Sequence, residues 1–206
     1  FILTMMIEKG MSFDEALKIA QEKGYAEKDP TADVEGYDAC RKVCILASLA
    51  FGKHVYPNQV ETEGITNITL EDVSYIENAG GVIKLLGQIK YINDNEIAAF
   101  VSPAVVYNGS QLASVKDVFN AILVRGDAVG DVCFYGPGAG KLPTASAVVA
   151  DIIDCAKHSE RKKIFGWGAG NEDYVVDYKE RIEMPFYVRA KATPAELNAK
   201  FSDVKF

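Results

Sequence analysis

The hydrophobic period of this chain changes near Gly80, so the fold must join a helical part to a β part. Upstream, Ala16, Leu17, Ile19 and Ala20 form a short amphipathic stripe at helical spacing. Ser12-Phe13-Asp14-Glu15 reads as a capping box, the Ser hydroxyl accepting from the Glu amide and the Glu reaching back to the cap amide. Gly24 supplies the left-handed residue that ends such a helix. From Tyr25 to Glu35 the chain is polar, and Asp29-Pro30 drives Asp29 out of the α region, which predicts a loop. A second helix is expected from Gly36 to Phe51. Its apolar stretch from Val43 to Phe51, broken only by Ser48, predicts burial on most sides.

Downstream of Gly80-Gly81 the pattern becomes β. Val82 to Leu86, then Ile89, Tyr91 and Ile92, lead into the turn cluster Asn93-Asp94-Asn95, and Glu96 to Val106 resumes, which predicts a hairpin. Pro103 limits the end of that run to an edge or a bulge. Val118–Val124 and Val129–Tyr135, joined by Arg125-Gly126-Asp127-Ala128, form a second predicted pair. A helix from Thr144 to Ala156 follows the glycine-rich Gly136-Pro137-Gly138-Ala139-Gly140. The expected class is α+β, with a mostly antiparallel or mixed sheet and helices packed on one face. Residues 1–160 make the main domain and polar, Gly-rich 161–183 a linker anchored by Trp167. Phe186–Ala190 reads as a strand and Pro194–Phe201 as the start of a helix, so 184–206 is expected to open a truncated second domain.

Composition removes several classes of function. The 206 residues carry 29 acidic against 22 basic side chains, a net charge of −7, which argues against an extended surface for nucleic acid or anionic lipid. No apolar run approaches the roughly 18 residues of a membrane span. None of the four cysteines falls in C-x-x-C spacing, and His54 and His158 lie far from Cys40 and Cys44. The expectation is reduced thiols in a cytoplasmic protein and no metal site. The chain begins at Phe1 with neither an initiator Met nor a signal-peptide pattern, and is read as a portion of something longer.

Two constellations could carry chemistry. Between Glu22 and Lys42 stand Glu22, Glu27, Asp29, Asp33, Glu35 and Asp38 against Lys23, Lys28, Arg41 and Lys42. Asp38 and Lys42, at i and i+4, share a helix face. One reading is a surface ion pair. The other is a lysine set against protein, its pKa depressed by desolvation so that it donates a proton near neutral pH. The second constellation is Gly136–Gly140, a strand-to-helix turn where glycines let backbone approach a ligand. It is not a P-loop, because Leu142 follows Lys141 where Ser or Thr would be needed. Nor is it a G-x-G-x-x-G fingerprint, because its third glycine comes one residue early.

The run from Gly24 to Lys42 (GYAEKDPTADVEGYDACRK) closely resembles the signature of homoserine dehydrogenases. Glu63-Gly64-Ile65, Ile83-Lys84-Leu85, Asn120-Ala121, Tyr135–Gly140 and Pro143-Thr144-Ala145 resemble that family too, in order and approximate spacing from Phe1 to about Ala156. The resemblance implies the catalytic and dimerisation portion, with the N-terminal NAD(P)-binding domain and the family's monovalent-cation site lying before Phe1. It implies reduction of L-aspartate 4-semialdehyde to L-homoserine with NADPH or NADH, in threonine, methionine and isoleucine biosynthesis. Lys42 would protonate the carbonyl oxygen. Asp38 would bind the hydroxyl end and hold Lys42, Glu27 would take the substrate amino group with Asp33 in support, and Gly24, Gly138 and Gly140 would line the nicotinamide side. Residues 184–206 resemble the start of an ACT regulatory domain, although Pro194-Ala195 replaces the usual Pro-Gly. Sheet edges such as Val82–Leu86, together with the resemblance, point to a homodimer. The isolated portion is expected to be inactive. The rival readings are a non-catalytic amino-acid-binding or oligomerisation module, and a phosphate-binding hydrolase, which lacks a nucleophile–base pair.

Overall fold

In the computed structural model, which describes residues 1–161, 164 and 166–204, the capping box forms. Glu15 N donates to Ser12 Oγ at 3.4 Å and Ser12 N donates to Glu15 Oε2 at 3.0 Å. This box opens helix α2 (Phe13–Glu22). The end of α2 is a Schellman turn: with Gly24 at φ 70°, Tyr25 N reaches Ala20 O at 2.9 Å and Gly24 N reaches Gln21 O at 3.0 Å. The predicted loop that follows contains a single helical turn, α3 (Thr31–Val34), begun where Asp29 Oδ1 accepts from Thr31 N and Oγ1. Gly36, at φ 81°, then turns the chain into α4 (Tyr37–Phe51).

Only one face of α4 is buried, where burial on most sides was expected. Cys40, Val43, Cys44, Ala47 and Ser48 are inside, while Ile45 and Leu49 are about half exposed. The apolar run is longer than one face requires, and its surplus residues point outward. Two more helices, α1 (Ile2–Lys9) and α5 (Leu70–Asn78), fall where no element was expected. Ile2, Leu3, Met5 and Met6 of α1 join Ala16, Ala20, Val73, Ile76 and Ile83 in one core.

The first predicted hairpin is β2 (Gly81–Asn93) and β3 (Glu96–Tyr107). A two-residue strand, β1 (Glu61–Thr62), pairs parallel to β3 at Phe100 and Val101, giving a mixed sheet in the order β1-β3-β2. β1 ends before Pro103, so the proline sits where β3 is an edge, and the register shift lies at Tyr91/Asn93 instead. The second hairpin, β4 (Phe119–Gly126) and β5 (Gly130–Pro137), is a separate two-stranded sheet. α6 (Lys141–Lys157) follows it.

Helices α1, α4 and α5 pack on one face of the mixed sheet, whereas the expected helix α6 buries no residue. Ile97, Ala99 and Val101 meet Cys40, Val43, Cys44 and Ala47 of α4, and Ile83 meets α1 and α5. The opposite face carries Ala98 and Phe100, covered by Tyr178, Val176, Ile182 and Met184. Tyr178, in the short helix α7 (Tyr178–Arg181), stacks on Phe100 with centroids 3.9 Å apart and planes 13° apart. Residues 171–183, within the expected linker, thus lie against the sheet. The predicted strand Phe186–Ala190 pairs with no other strand among the described residues. It is tied by side chains instead: Tyr187 OH donates to Asp72 Oδ1 at 2.8 Å, and Arg189 bonds to Asp72 Oδ2 and, at 2.9 Å, to Thr69 Oγ1. A last helix, α8 (Pro194–Asn198), starts at a Thr193–Glu196 capping box. Lys162, Lys163 and Phe165 of the expected linker, and Lys205 and Phe206 of the expected second unit, lie outside the described residues.

Candidate active site

The acidic stretch is held between two glycines of positive φ, Gly24 after α2 and Gly36 before α4. Gly64 fixes the corner from the other side. A Cβ there would lie 2.2 Å from Val34 O, so only glycine lets the chain after β1 pass, and Ile65 N then donates to Val34 O at 2.8 Å. Within the loop, Asp33 Oδ2 accepts from the backbone N of Glu27 at 3.2 Å. The Asp29 carboxyl is held below the usual carboxylate range by the Thr31 hydroxyl and then the Thr31 amide.

Asp38 lies in the first turn of α4, where the helix dipole favours an anion. One turn on, Lys42 Nζ stands 2.7 Å from Asp38 Oδ2. The pair is open to solvent, with the two side chains 65% and 51% exposed. Lys42 therefore stands in solvent in this chain, as the surface-ion-pair reading has it and not as a lysine set against protein. The cavity of about 410 Å³ beside α4, lined by Tyr37, Cys40 and Arg41 among others, takes in neither Asp38 nor Lys42. The Glu27 side chain is also exposed, with no hydrogen bond or ion pair among the described residues.

The glycine-rich junction forms as a turn from β5 into α6. Gly138 N donates to Val118 O at 2.9 Å, a Cβ on Gly138 would collide with Asn120 Nδ2 at 1.4 Å, and Gly140 takes φ 114° at the helix start. These contacts stay within the β4–β5–α6 unit. No hydrogen bond or ion pair among the described residues joins Gly138 or Gly140 to Asp38, Lys42 or Glu27. The structure therefore brings Asp38 to Lys42 and Asp33 to the Glu27 backbone, but does not join the glycine turn to either.

Sequence reasoning missed Gln21, whose Nε2 donates to Glu27 O at 3.0 Å and Lys28 O at 3.2 Å. Its partners are backbone carbonyls, which leave no trace in residue type. The only signal was a polar amide on the last turn of α2, three residues before Gly24.

The cysteines are all free, and burial followed by the neighbouring Cys40 pushes the Cys44 thiol up to about 12. Among the described residues no group of three or more His, Cys, Asp or Glu side chains is placed to hold a metal. No described helix is long and apolar enough to cross a membrane.

A sequence model of the family described as homoserine dehydrogenase matches residues 1–153. The homoserine dehydrogenase of Bacillus subtilis (strain 168) is 45% identical over 158 residues, covering 77% of this chain and 36% of that protein. The crystal structure of S. aureus homoserine dehydrogenase at pH 7.5 superposes with a TM-score of 0.71 at 46% identity, covering 79% of this chain and 40% of that one. A hyperthermophilic archaeal homoserine dehydrogenase solved in complex with NADPH gives a TM-score of 0.60 at 29% identity, over 80% of this chain and 46% of that one. The chain spans less than half the length of each. With three quarters of its length matched by the family model, this chain belongs to the homoserine dehydrogenase family.

Proposed function

We propose that this chain is the substrate-binding and dimerisation portion of a cytoplasmic homoserine dehydrogenase. The reaction is NAD(P)H-dependent reduction of L-aspartate 4-semialdehyde to L-homoserine, a step toward threonine, methionine and isoleucine. The observation that carries it is the Lys42–Asp38 pair, 2.7 Å apart at the end of α4 to which the acidic loop leads.

The chemistry fits these residue types. When bound, the nicotinamide supplies hydride to the carbonyl carbon. The oxygen then gains charge, and an ammonium beside it can donate the proton, which is the role assigned to Lys42 Nζ. The Asp38 carboxylate holds that ammonium in place and accepts from the new hydroxyl. Glu27, exposed and without a partner among the described residues, offers a carboxylate to the substrate's α-ammonium, with Asp33 holding its backbone. The remaining desolvation of Lys42 must come from what covers the outer face of α4.

Either nicotinamide cofactor suits the glycine turn. Gly138 brings no side chain, and Gly140 hands the chain into the 17-residue α6, whose first amides can face a polar ring edge. Gly24 lines the same cofactor in this reading, and most of the cofactor's contacts belong to a dinucleotide-binding domain outside this chain. A homodimer is supported by the free edge of β2, outermost in its sheet. The same proposal divides the chain into a main domain (1–160), a connecting segment (161–183) that folds back on the sheet through Tyr174 and Tyr178, and the opening of an ACT-like regulatory unit (184–206).

In the intact enzyme, Asp38→Asn keeps the shape and removes the charge, so kcat should fall about 10²-fold with the cofactor KM unchanged. A near-normal kcat contradicts the assignment. The isolated chain should show no turnover, and measurable NAD(P)H oxidation with the semialdehyde by it alone would contradict that.

A further inference from the structure

Glu27 sits on a loop outside any helix or strand, yet an ammonium-binding carboxylate must hold its place while substrate comes and goes. Its peptide is held on both sides. Asp33 Oδ2 accepts from Glu27 N at 3.2 Å, and Gln21 Nε2 donates to Glu27 O at 3.0 Å and to Lys28 O at 3.2 Å. The Schellman turn at Gly24 reverses the chain, so residues 27 and 28 return past the last turn of α2, where Gln21 stands. Both of Gln21's partners are acceptors, so only its NH₂ group can serve them, one N–H to each. The Glu27 side chain makes none of these bonds and is left exposed.

We infer that Gln21 is a positioning residue for amino-acid substrate recognition: its amide clamps the carbonyls of Glu27 and Lys28 so that the Glu27 carboxylate is presented to the substrate's α-ammonium. This rests on the reading of Glu27 given above. The clamp touches no reacting atom and lies on α2, so it acts on substrate affinity and leaves the proton and hydride steps alone. Removing it leaves the Glu27 peptide itself held through Asp33 alone, so that Glu27 can swing out of reach.

The test is steady-state kinetics on the intact enzyme with Gln21→Met, Glu27→Gln and the double variant. Gln21→Met should raise the KM for L-aspartate 4-semialdehyde about tenfold, with kcat, the cofactor KM and the melting temperature little changed. Gln21→Glu, which turns a carboxylate toward two carbonyl oxygens, should raise it further. In the Glu27→Gln background the charge to be positioned is gone, so adding Gln21→Met should change KM by less than about twofold. A purely structural role would instead lower the melting temperature and disturb the cofactor KM alike. If Glu27→Gln raises KM and Gln21→Met does not, the clamp is overturned while the substrate reading of Glu27 stands. If Glu27→Gln leaves KM unchanged, that reading falls and the clamp with it. Should Gln21→Met fail to accumulate, Gln21→Asn, whose amide is one methylene too short to span both carbonyls, carries the same expectation.

Discussion

The mixed sheet and the β4–β5–α6 arm are comparably apolar, yet one is buried and the other is not. Around β3, Ile97, Ala98 and Phe100 are wholly inaccessible, covered by α4 on one side and by Tyr178 on the other. In the arm no residue of β4, β5 or α6 is buried. Ile122, Val124, Phe134 and Tyr135 of the hairpin and Val148, Val149, Ile152 and Ile153 of α6 stand 44–62% exposed. The arm is held by local pairs, Phe119 stacked on Tyr135 at 4.9 Å and Arg125 bidentate on Asp131 at 2.6 and 2.9 Å. Exposed apolar surface of this extent is characteristic of interaction faces. The lesson is about closure: the body satisfies itself within the chain, and the arm does not.

Replacing a residue in each region sharpens that contrast. Phe100→Ala removes the largest fully buried side chain and its stack on Tyr178, so it should cost about 4 kcal/mol by denaturant unfolding. Ile152→Ala, at a position 60% exposed, should change the isolated chain by less than about 0.5 kcal/mol. In the intact enzyme the same change should cost about 2 kcal/mol, because the covering body then loses a contact. Equal costs in the isolated chain would break the distinction.

The tie of the C-terminal segment to the body gives a smaller, pH-dependent effect. Burial, and next the hydrogen bond to Asp72, push the Tyr187 phenol up to about 12 from its usual 10. The folded form thus favours the protonated phenol. Its contribution is fully present below pH 10 and is lost as pH rises through about 12. Asp72 itself is drawn down: burial alone would raise it, but hydrogen bonds from Thr69 and Tyr187 and the charge of Arg189 outweigh that. Proteolytic cutting of residues 184–193 should therefore rise between pH 10 and 12 in the native chain. In Tyr187→Phe that rise should be absent, and identical pH profiles would refute the tie.

Much of this was legible in the sequence, and the exceptions have physical causes. Ser12–Glu15 and Gly24 mark α2 because cap chemistry is local, and Asn93–Asn95 marks the hairpin for the same reason. α1 was missed because its eight residues carry no side-chain cap at their start. α5 was missed because its box closes on Asp72, not on the Glu or Gln that identifies such boxes from sequence. The orientation of α4 and the split into two sheets depend on long-range packing, which no local pattern encodes. At the site, the i,i+4 spacing made the Asp38–Lys42 pair readable, whereas Gln21 binds carbonyls and left no matching residue type to find.

The central claim is that Lys42, standing open in this chain, becomes the proton donor once the site is closed. The most direct measurement is turnover of the intact enzyme carrying Lys42→Ala, with circular dichroism and melting temperature measured alongside. The account predicts a fall in kcat of about 10³-fold with folding unchanged, since the side chain is 65% exposed and supports no core. Near-normal turnover in a folded Lys42→Ala enzyme would contradict it.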